Sequence, residues 1–263
     1  MRIRFADGRH AAAPVALCEV QGYAYEAATH GADLLDAFGV DGGNALRDWA
    51  TALASRFRER FWIDGRYPAI ALDGSKTPVD SLTSNIGHLL GTGILDDAET
   101  ARIAERVTGP ELNSGFGLRT MSSRAGGFSP LSYHCGSVWP HDTAIVIRGL
   151  AASGHAADAV GLISGLVSAG AQFGWRLPEL YSGDDDRPIP YPAACRPQAW
   201  AAAASIVIVQ TLLGLEVDVP RGTVRIRPVQ DSPFGHLRVT GLRAGGEPFA
   251  VAVDDSGTIT LPP

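Results

Sequence analysis

The sequence predicts a mainly α protein of stacked helical hairpins arranged as a toroid, ending in a small antiparallel β region. Three observations lead there. Apolar residues recur at three- and four-residue steps in about seven stretches before Val217. Long loops rich in Tyr, His and Trp interrupt those stretches at alternate junctions, which suits hairpins whose every second junction opens on one mouth. From Val217 onward the pattern changes to period two with Gly/Pro turns. The expected division is a helical domain over residues 1–216 and a β appendage over 217–263.

Taken in order, residues 1–13 are polar and Gly/Ala-rich and read as the tail of a preceding segment. A helix is expected over 16–38, with Leu17, Val20, Ala24, Ala28, Leu34 and Leu35 near helical spacing. After VDGG a second helix, NALRDWATALASRFRERFW, places Leu46, Trp49, Leu53, Phe57 and Phe61 on one face and its charges on the other. A short β-like piece, YPAIALDG, follows. SLTSNIGHLLGTGIL and DDAETARIAERVTG read as two short helices, the second capped by Asp96 or Asp97. Residues 143–153 and 156–173 form an Ala-, Val- and Leu-rich helical pair. WRLPELYSGDDDRPIPYPAACRPQAW is an irregular loop, and AAAASIVIVQTLLGL is an almost wholly apolar helix, expected to be buried on most sides.

Composition narrows the partners. A net charge of −6 without a basic cluster argues against nucleic acid and anionic membranes. No apolar run reaches membrane-spanning length, and the first residues lack a signal peptide's apolar core. Cys18, Cys135 and Cys195 are odd in number and widely spaced, so neither a disulfide framework nor a metal site is expected. They read as small buried hydrophobes in a reducing cytoplasm. No cofactor is expected.

The loop from Gly115 to Asp142 concentrates Arg119, Tyr133, His134, Trp139, His141 and Asp142 in a Gly- and Pro-broken segment. Stacking rings, hydrogen-bonding groups and a carboxylate describe a pocket wall for a polar, ring-shaped ligand. Asp142 is equally readable as the N-cap of a helix starting at Thr143. Asn85 and His88 stand three apart on a helical stretch and share a face. His88 fits a satisfied core histidine as well as a pocket one.

The strings ALCEVQGYAYEAA, GRYPAIALDGSKTPVDSLTSNIGHLLGTGIL, GFGLRTMSS, SPLSYHCGSVWPHDTAIV, LPELYSG and YPAACRPQAWAAAA resemble the catalytic region of bacterial amylo-α-1,6-glucosidase-type proteins. These belong with the glycogen debranching enzymes and the wider six-hairpin glycosidases. The resemblance runs from about residue 14 to 220. It implies an (α/α)₆ toroid, an inverting hydrolysis and an α-glycosidic carbohydrate substrate. Inversion needs one carboxyl group to protonate the departing oxygen and another to activate water, roughly 6.5–9.5 Å apart. The residue matching the family's base is Glu179 in LPELYSG. It follows Pro178 and lies between Trp175 and Tyr181, apolar rings expected to raise its pKa.

The resemblance places the acid in a motif upstream of FADGRHAAAPVALCEVQGY, which this chain does not contain. The chain therefore reads as an N-terminally truncated copy missing roughly five helices. It is expected to lack independent hydrolysis, and to self-associate or take a chain supplying the rest. Glu19 is the substitute for the acid, though sugar contact suits it better, with Gln21 and Tyr23 beside it. Gln198 and Trp200 are expected to close the pocket, or to serve as polar cap and core anchor. A non-catalytic carbohydrate-binding remnant is the alternative. A lyase or epimerase using Arg119, Arg176 and Arg196 is a third reading.

Overall fold

The computed structural model describes residues 3–230 and 232–261. Met1 and Arg2 of the expected leading tail, and Pro262 and Pro263 of the expected last strand, lie outside the described residues. Strand β1 (Ala16–Leu17) leads directly into α1 (Cys18–Ala37), and α2 (Gly43–Phe61) returns against it. The helix expected to start at residue 16 thus starts at Cys18, because Ala16 and Leu17 pair with Leu72 and Ala71. The small strands β2 (Trp62–Ile63), β3 (Tyr67–Pro68), β4 (Ala71–Leu72) and β5 (Pro78–Val79) follow. They form a hairpin from β2 and β3 and a sheet in the order β1-β4-β5.

SLTSNIGHLLGTGIL contributes only a 3₁₀ helix (Ser84–Leu89) that contacts α1, α3 (Asp97–Thr108) and α4 (Pro140–Ala152). Helix α3 opens on a full capping box. The Asp96 carboxylate accepts from the Glu99 amide, and Glu99 accepts from the Asp96 amide, both at 2.8 Å. Helix α4 packs on α5 (Ala156–Gln172) and on α6 (Ala199–Leu213). The loop between α5 and α6 is irregular, as its prolines dictate.

The main core runs through Phe57 and Phe61 of α2, Ile86 and Leu89 of the 3₁₀ helix, Ile103 and Val107 of α3, Ile147 and Leu150 of α4, and Leu162 and Ile163 of α5. Each such side chain contributes roughly 1.5–3 kcal/mol by leaving water. The stripe predicted for α2 is shifted. Leu53, Phe57 and Phe61 are buried with Ala50 and Ala54, whereas Trp49 is exposed. The outer face of α1 likewise leaves Val20 and Leu34 in solvent.

Helix α6 departs most from expectation. Ala201, Ala204, Leu212 and Leu213 are buried, but Ala202, Ala203 and Ser205 are exposed and Ile206 keeps 60% of its surface. Among the described residues, none buries the face that carries Ala202, Ala203, Ser205 and Ile206. Gly214, in the left-handed region at φ 53°, ends it. Beyond it lie β6 (Leu215–Asp218), β7 (Thr223–Ile226), β8 (Leu237–Ala244), β9 (Glu247–Val253) and β10 (Ile259–Thr260). All of their pairings are antiparallel, with β6 on β7 and the order β10-β9-β8. Val251 and Val253 close over Leu213 at the end of α6. No described helix is long and apolar enough to cross a membrane.

Candidate active site

Pro140 occupies the first turn of α4, where its fixed φ suits helix entry and its missing N–H costs no bond. The helix therefore begins earlier than Thr143. Asp142 sits inside the first turn, with Trp139 at the N-cap position, so the N-cap role expected for Asp142 does not occur. The consequence is a cluster of rings at the helix entrance. Tyr133 meets Trp139 edge-on at 4.8 Å, and His134 stacks on Trp139 at 5.7 Å and 6°. Trp200, at the start of α6, stacks on His141 at 4.9 Å and 10° and lies 5.9 Å from Trp139. These five rings line one cavity of about 360 Å³, with Thr83, Ser84, Asn85, Thr120 and Asp142 as its polar wall. Burial lowers the pKa of both His134 and His141, which favours their neutral forms.

Glu179 stands behind Tyr133. The Tyr133 hydroxyl donates to Oε1 at 2.6 Å, and the Cys195 amide donates to Oε2 at 3.1 Å. The hydrogen bond from Tyr133 is the main cause holding this carboxyl below its ordinary pKa; burial opposes it, and the bonds from Cys195 add to the lowering. This corrects the expectation of a raised value. Glu179 is only 6% exposed, but its neighbours are donors rather than bare apolar rings. Of the two flanking aromatics, Trp175 is exposed, and Tyr181 is fully buried with its hydroxyl on the Phe116 carbonyl at 2.5 Å.

Backbone pairing sets the loop in place. Val138 and Tyr181 exchange N–H···O bonds of 2.9 and 3.0 Å, tying the Trp139 loop to the Glu179 loop. The last residue of LPELYSG is Gly183 for a steric reason: an added Cβ would sit 1.9 Å from the Gly136 carbonyl oxygen. Arg119, expected on the pocket wall, is only 3% exposed and belongs to this scaffold. Its guanidinium donates to the Gly183 carbonyl at 2.6 Å and to the Pro110 and Asn113 carbonyls at 2.8 and 3.2 Å. Burial lowers its pKa. Arg196 likewise donates to a loop carbonyl, that of Phe173.

On the side formed by α1 and the 3₁₀ helix, polar groups pair with one another. Asn85 donates to Glu19 Oε1 at 2.8 Å, and burial raises the Glu19 pKa. Asn85 reaches the cavity wall and Glu19 supports it from behind. His88 bonds Asp142 Oδ1 at 2.6 Å through Nε2 and the Tyr23 hydroxyl at 2.5 Å through Nδ1. Burial opposes charging of His88, but the Asp142 carboxylate, with help from Glu19, outweighs it and raises its pKa. The other Asp142 oxygen, Oδ2, is buried without a protein partner. Tyr23, pushed up to about 12 chiefly by burial, stays neutral.

Gln21 donates to the Leu17 carbonyl within its own helix at 3.1 Å, and Gln198 accepts from the Ala199 amide at 3.0 Å. Neither lines the cavity. Gln198 takes the capping role weighed for it. Of the cysteines, Cys18 is buried and Cys135 is half-buried on the cavity wall. Cys195 is exposed, which corrects the reading of all three as buried.

The N-terminal segment, read as a mere tail, supplies two wall residues, Ile3 and Arg4. It is a tight hairpin, with Phe5 and Arg9 bonded across the turn and the Ala11 amide on the Ile3 carbonyl. The signal was present as Asp7-Gly8, a dipeptide favoured at such turns.

Helical hairpins framing a ring-lined cavity with buried carboxyl groups define a six-hairpin glycosidase fold. Solved structures of that fold align with the chain. A GH63 mannosylglycerate hydrolase from Thermus thermophilus, in complex with glucose, aligns at TM-score 0.62 and 16% identity over 74% of this chain and 45% of its own. A neutral trehalase from Saccharomyces cerevisiae aligns at 0.60 and 14%, over 75% of this chain and 38% of its own. A structure described as a sialidase aligns at 0.77 and 14%, over 99% of this chain and 26% of its own. The chain thus spans less than half the length of these structures. It belongs to the mannosylglycerate hydrolase MGH1-like glycoside hydrolase domain family, whose model matches residues 4–177. No curated protein matches the sequence.

Proposed function

We propose that this chain is the sugar-holding and water-activating part of an inverting glycoside hydrolase acting on α-linked hexosides. The single observation behind this reading is Glu179: an almost fully buried carboxyl bonded to Tyr133 of the cavity wall and held below its ordinary pKa by Tyr133 and Cys195. Ionised near neutrality, Glu179 takes a proton from water as the water oxygen bonds to the anomeric carbon and the glycosidic bond breaks. The departing oxygen takes its proton from the acid, which the motif resemblance places upstream of Phe5. Trp139 and Trp200 stack the sugar ring. Asp142 Oδ2, lacking a partner, accepts from a sugar hydroxyl, and His88 fixes its orientation. Glu19 positions Asn85 and is not itself the acid.

Two substrate classes fit. Relatives named for mannosylglycerate and trehalose point to a short α-glucoside or α-mannoside, and a cavity of about 360 Å³ suits one ring with a small neighbour. The debranching-type motifs favour an α-1,6-linked glucan as the second reading. Proton NMR of the first product formed by a form that turns over decides the stereochemistry. A β-configured hexose from an α-glycoside is expected, and an α-configured product overturns inversion.

We also propose that further helices of a six-hairpin ring cover the open faces of α1 and α6. Val20 and Leu34 on one and Ile206 on the other lie exposed, and the chain spans less than half of its aligned structures. Sedimentation velocity of residues 1–263 should show self-association, and addition of a chain supplying those helices should abolish it. A stable monomer argues against this.

A further inference from the structure

Trp139 and Trp200 line the sugar cavity, and a third tryptophan outside it stands on the loop that carries Glu179. Trp175 is 74% exposed, against 8% for Trp139 and 41% for Trp200. Its backbone lies in the left-handed region at φ 61°, directly after Gly174 at the same φ. Glycine adopts that conformation freely, and a bulky side chain does not. The surroundings hold it there. The Trp175 amide donates to the Gly170 carbonyl at 2.7 Å, and Arg196 donates to the Phe173 carbonyl. The indole touches α5 at Gly170, where an added Cβ would lie 3.6 Å from the ring, and most of the rest faces solvent. Packing therefore does not account for a tryptophan at this position, and backbone strain of this kind collects at functional sites.

The neighbours indicate the ligand. Phe173 and Leu177 turn inward onto the cluster of Val138, Ala169 and Tyr181, which leaves Trp175 a lone ring. Gln172 and Arg176 beside it are exposed, and among the described residues neither side chain has a protein partner. A protein interface is anchored by a packed cluster rather than a lone ring. A hexose needs one flat apolar surface with hydrogen-bonding groups at its edge. The distance also suits a sugar chain: Trp175 and Glu179 are four residues apart, a span of at most about 14 Å when extended.

We propose that Trp175 is a second sugar-stacking site, outside the ring-lined cavity, that holds a glycosyl unit of an α-linked glucan. The inference rests on the sugar-site reading above.

Isothermal titration calorimetry on the full chain tests this with methyl α-glucoside and methyl α-mannoside, which suit the cavity alone, and with maltopentaose and isomaltopentaose. Wild-type protein should bind one pentasaccharide about fivefold or more tightly than either methyl glycoside, and the preferred linkage names the glucan. Trp175→Gly should lose most of that gain, bind the methyl glycosides as before and melt no lower than wild type, because it relieves the left-handed backbone. Trp175→Phe should keep part of the gain. If Trp175→Gly weakens every sugar, the Glu179 loop has moved and Trp175→Phe decides: a retained gain supports the inference and its loss overturns it. A gain that survives Trp175→Gly overturns it, as does a Tm several degrees lower, which would make the ring part of the fold. Sedimentation velocity should show the self-association of Trp175→Gly unchanged; its abolition would make Trp175 a protein contact and overturn the site. Equal wild-type affinity for all four sugars overturns Trp175 and leaves the cavity standing. Binding of none overturns both.

Discussion

The Glu179 side and the Asp142 side of the cavity hold the same kind of group in opposite company. Glu179 accepts from a tyrosine hydroxyl and a backbone amide, donors that bring no positive charge, so the carboxylate keeps its own charge behind Tyr133. Asp142 is paired with an imidazole whose pKa it raises, and nearby Glu19 is pushed by burial toward its neutral form. On the proposed reading, the difference divides the work. A carboxylate with unbalanced charge takes a proton from water, whereas a neutralised one holds and orients. Residue type alone did not distinguish them; the donors around each did.

The His88–Asp142 pair gives the largest expected effect. His88→Gln strips Asp142 Oδ1 of its ionic partner while Oδ2 already has none, and losing one member of a mostly buried pair costs about 3 kcal/mol. A raised histidine pKa means the folded form holds the proton more tightly, so its stabilisation is complete below the ordinary histidine value. It fades as pH rises through the raised one. Thermal unfolding of wild-type protein should therefore lose stability across that interval, and His88→Gln should flatten the dependence. An unchanged slope would dissolve the contrast between the two sides.

Tyr133→Phe gives a smaller and more pointed effect. The hydroxyl favours the charged form of Glu179, so its removal lets the carboxyl pKa rise. The acidic limb of the kcat/KM profile should move to higher pH, with the neutral plateau reduced only modestly. Tyr133 itself, pushed up to about 12 chiefly by its bond to Glu179, stays neutral throughout. A limb that stays in place would separate Tyr133 from the base.

Much of this was legible in the sequence. Helical spacing located α2, α3, α4 and α5, and of the two caps the letters offered for α3, Asp96 or Asp97, Asp96 takes the position. The concentration of Tyr133, His134, Trp139 and His141 on one broken loop marked the wall they form. What escaped is long-range. That Arg119 ties loop carbonyls together depends on Gly183, 64 residues away. That the Glu179 pKa falls depends on Tyr133, 46 residues away. Helix α6 differs for another reason: apolarity on all sides reads as burial on all sides, yet Ile206 is exposed where Ile163 of α5 is buried. The N-terminal hairpin was overlooked because composition outweighed the Asp7-Gly8 turn signal.

The central claim is that Glu179 activates water while the rings hold the sugar, and Glu179→Gln tests it most directly in the smallest form of the protein that cleaves an α-glycoside. Turnover and sugar affinity, the latter by tryptophan fluorescence, are measured on the same sample. Turnover should fall on the order of 10²- to 10⁴-fold with affinity nearly unchanged, because the lost group acts in the transition state. Near-normal turnover in that variant would contradict the assignment of the base and, with it, the division of labour between the two sides of the cavity.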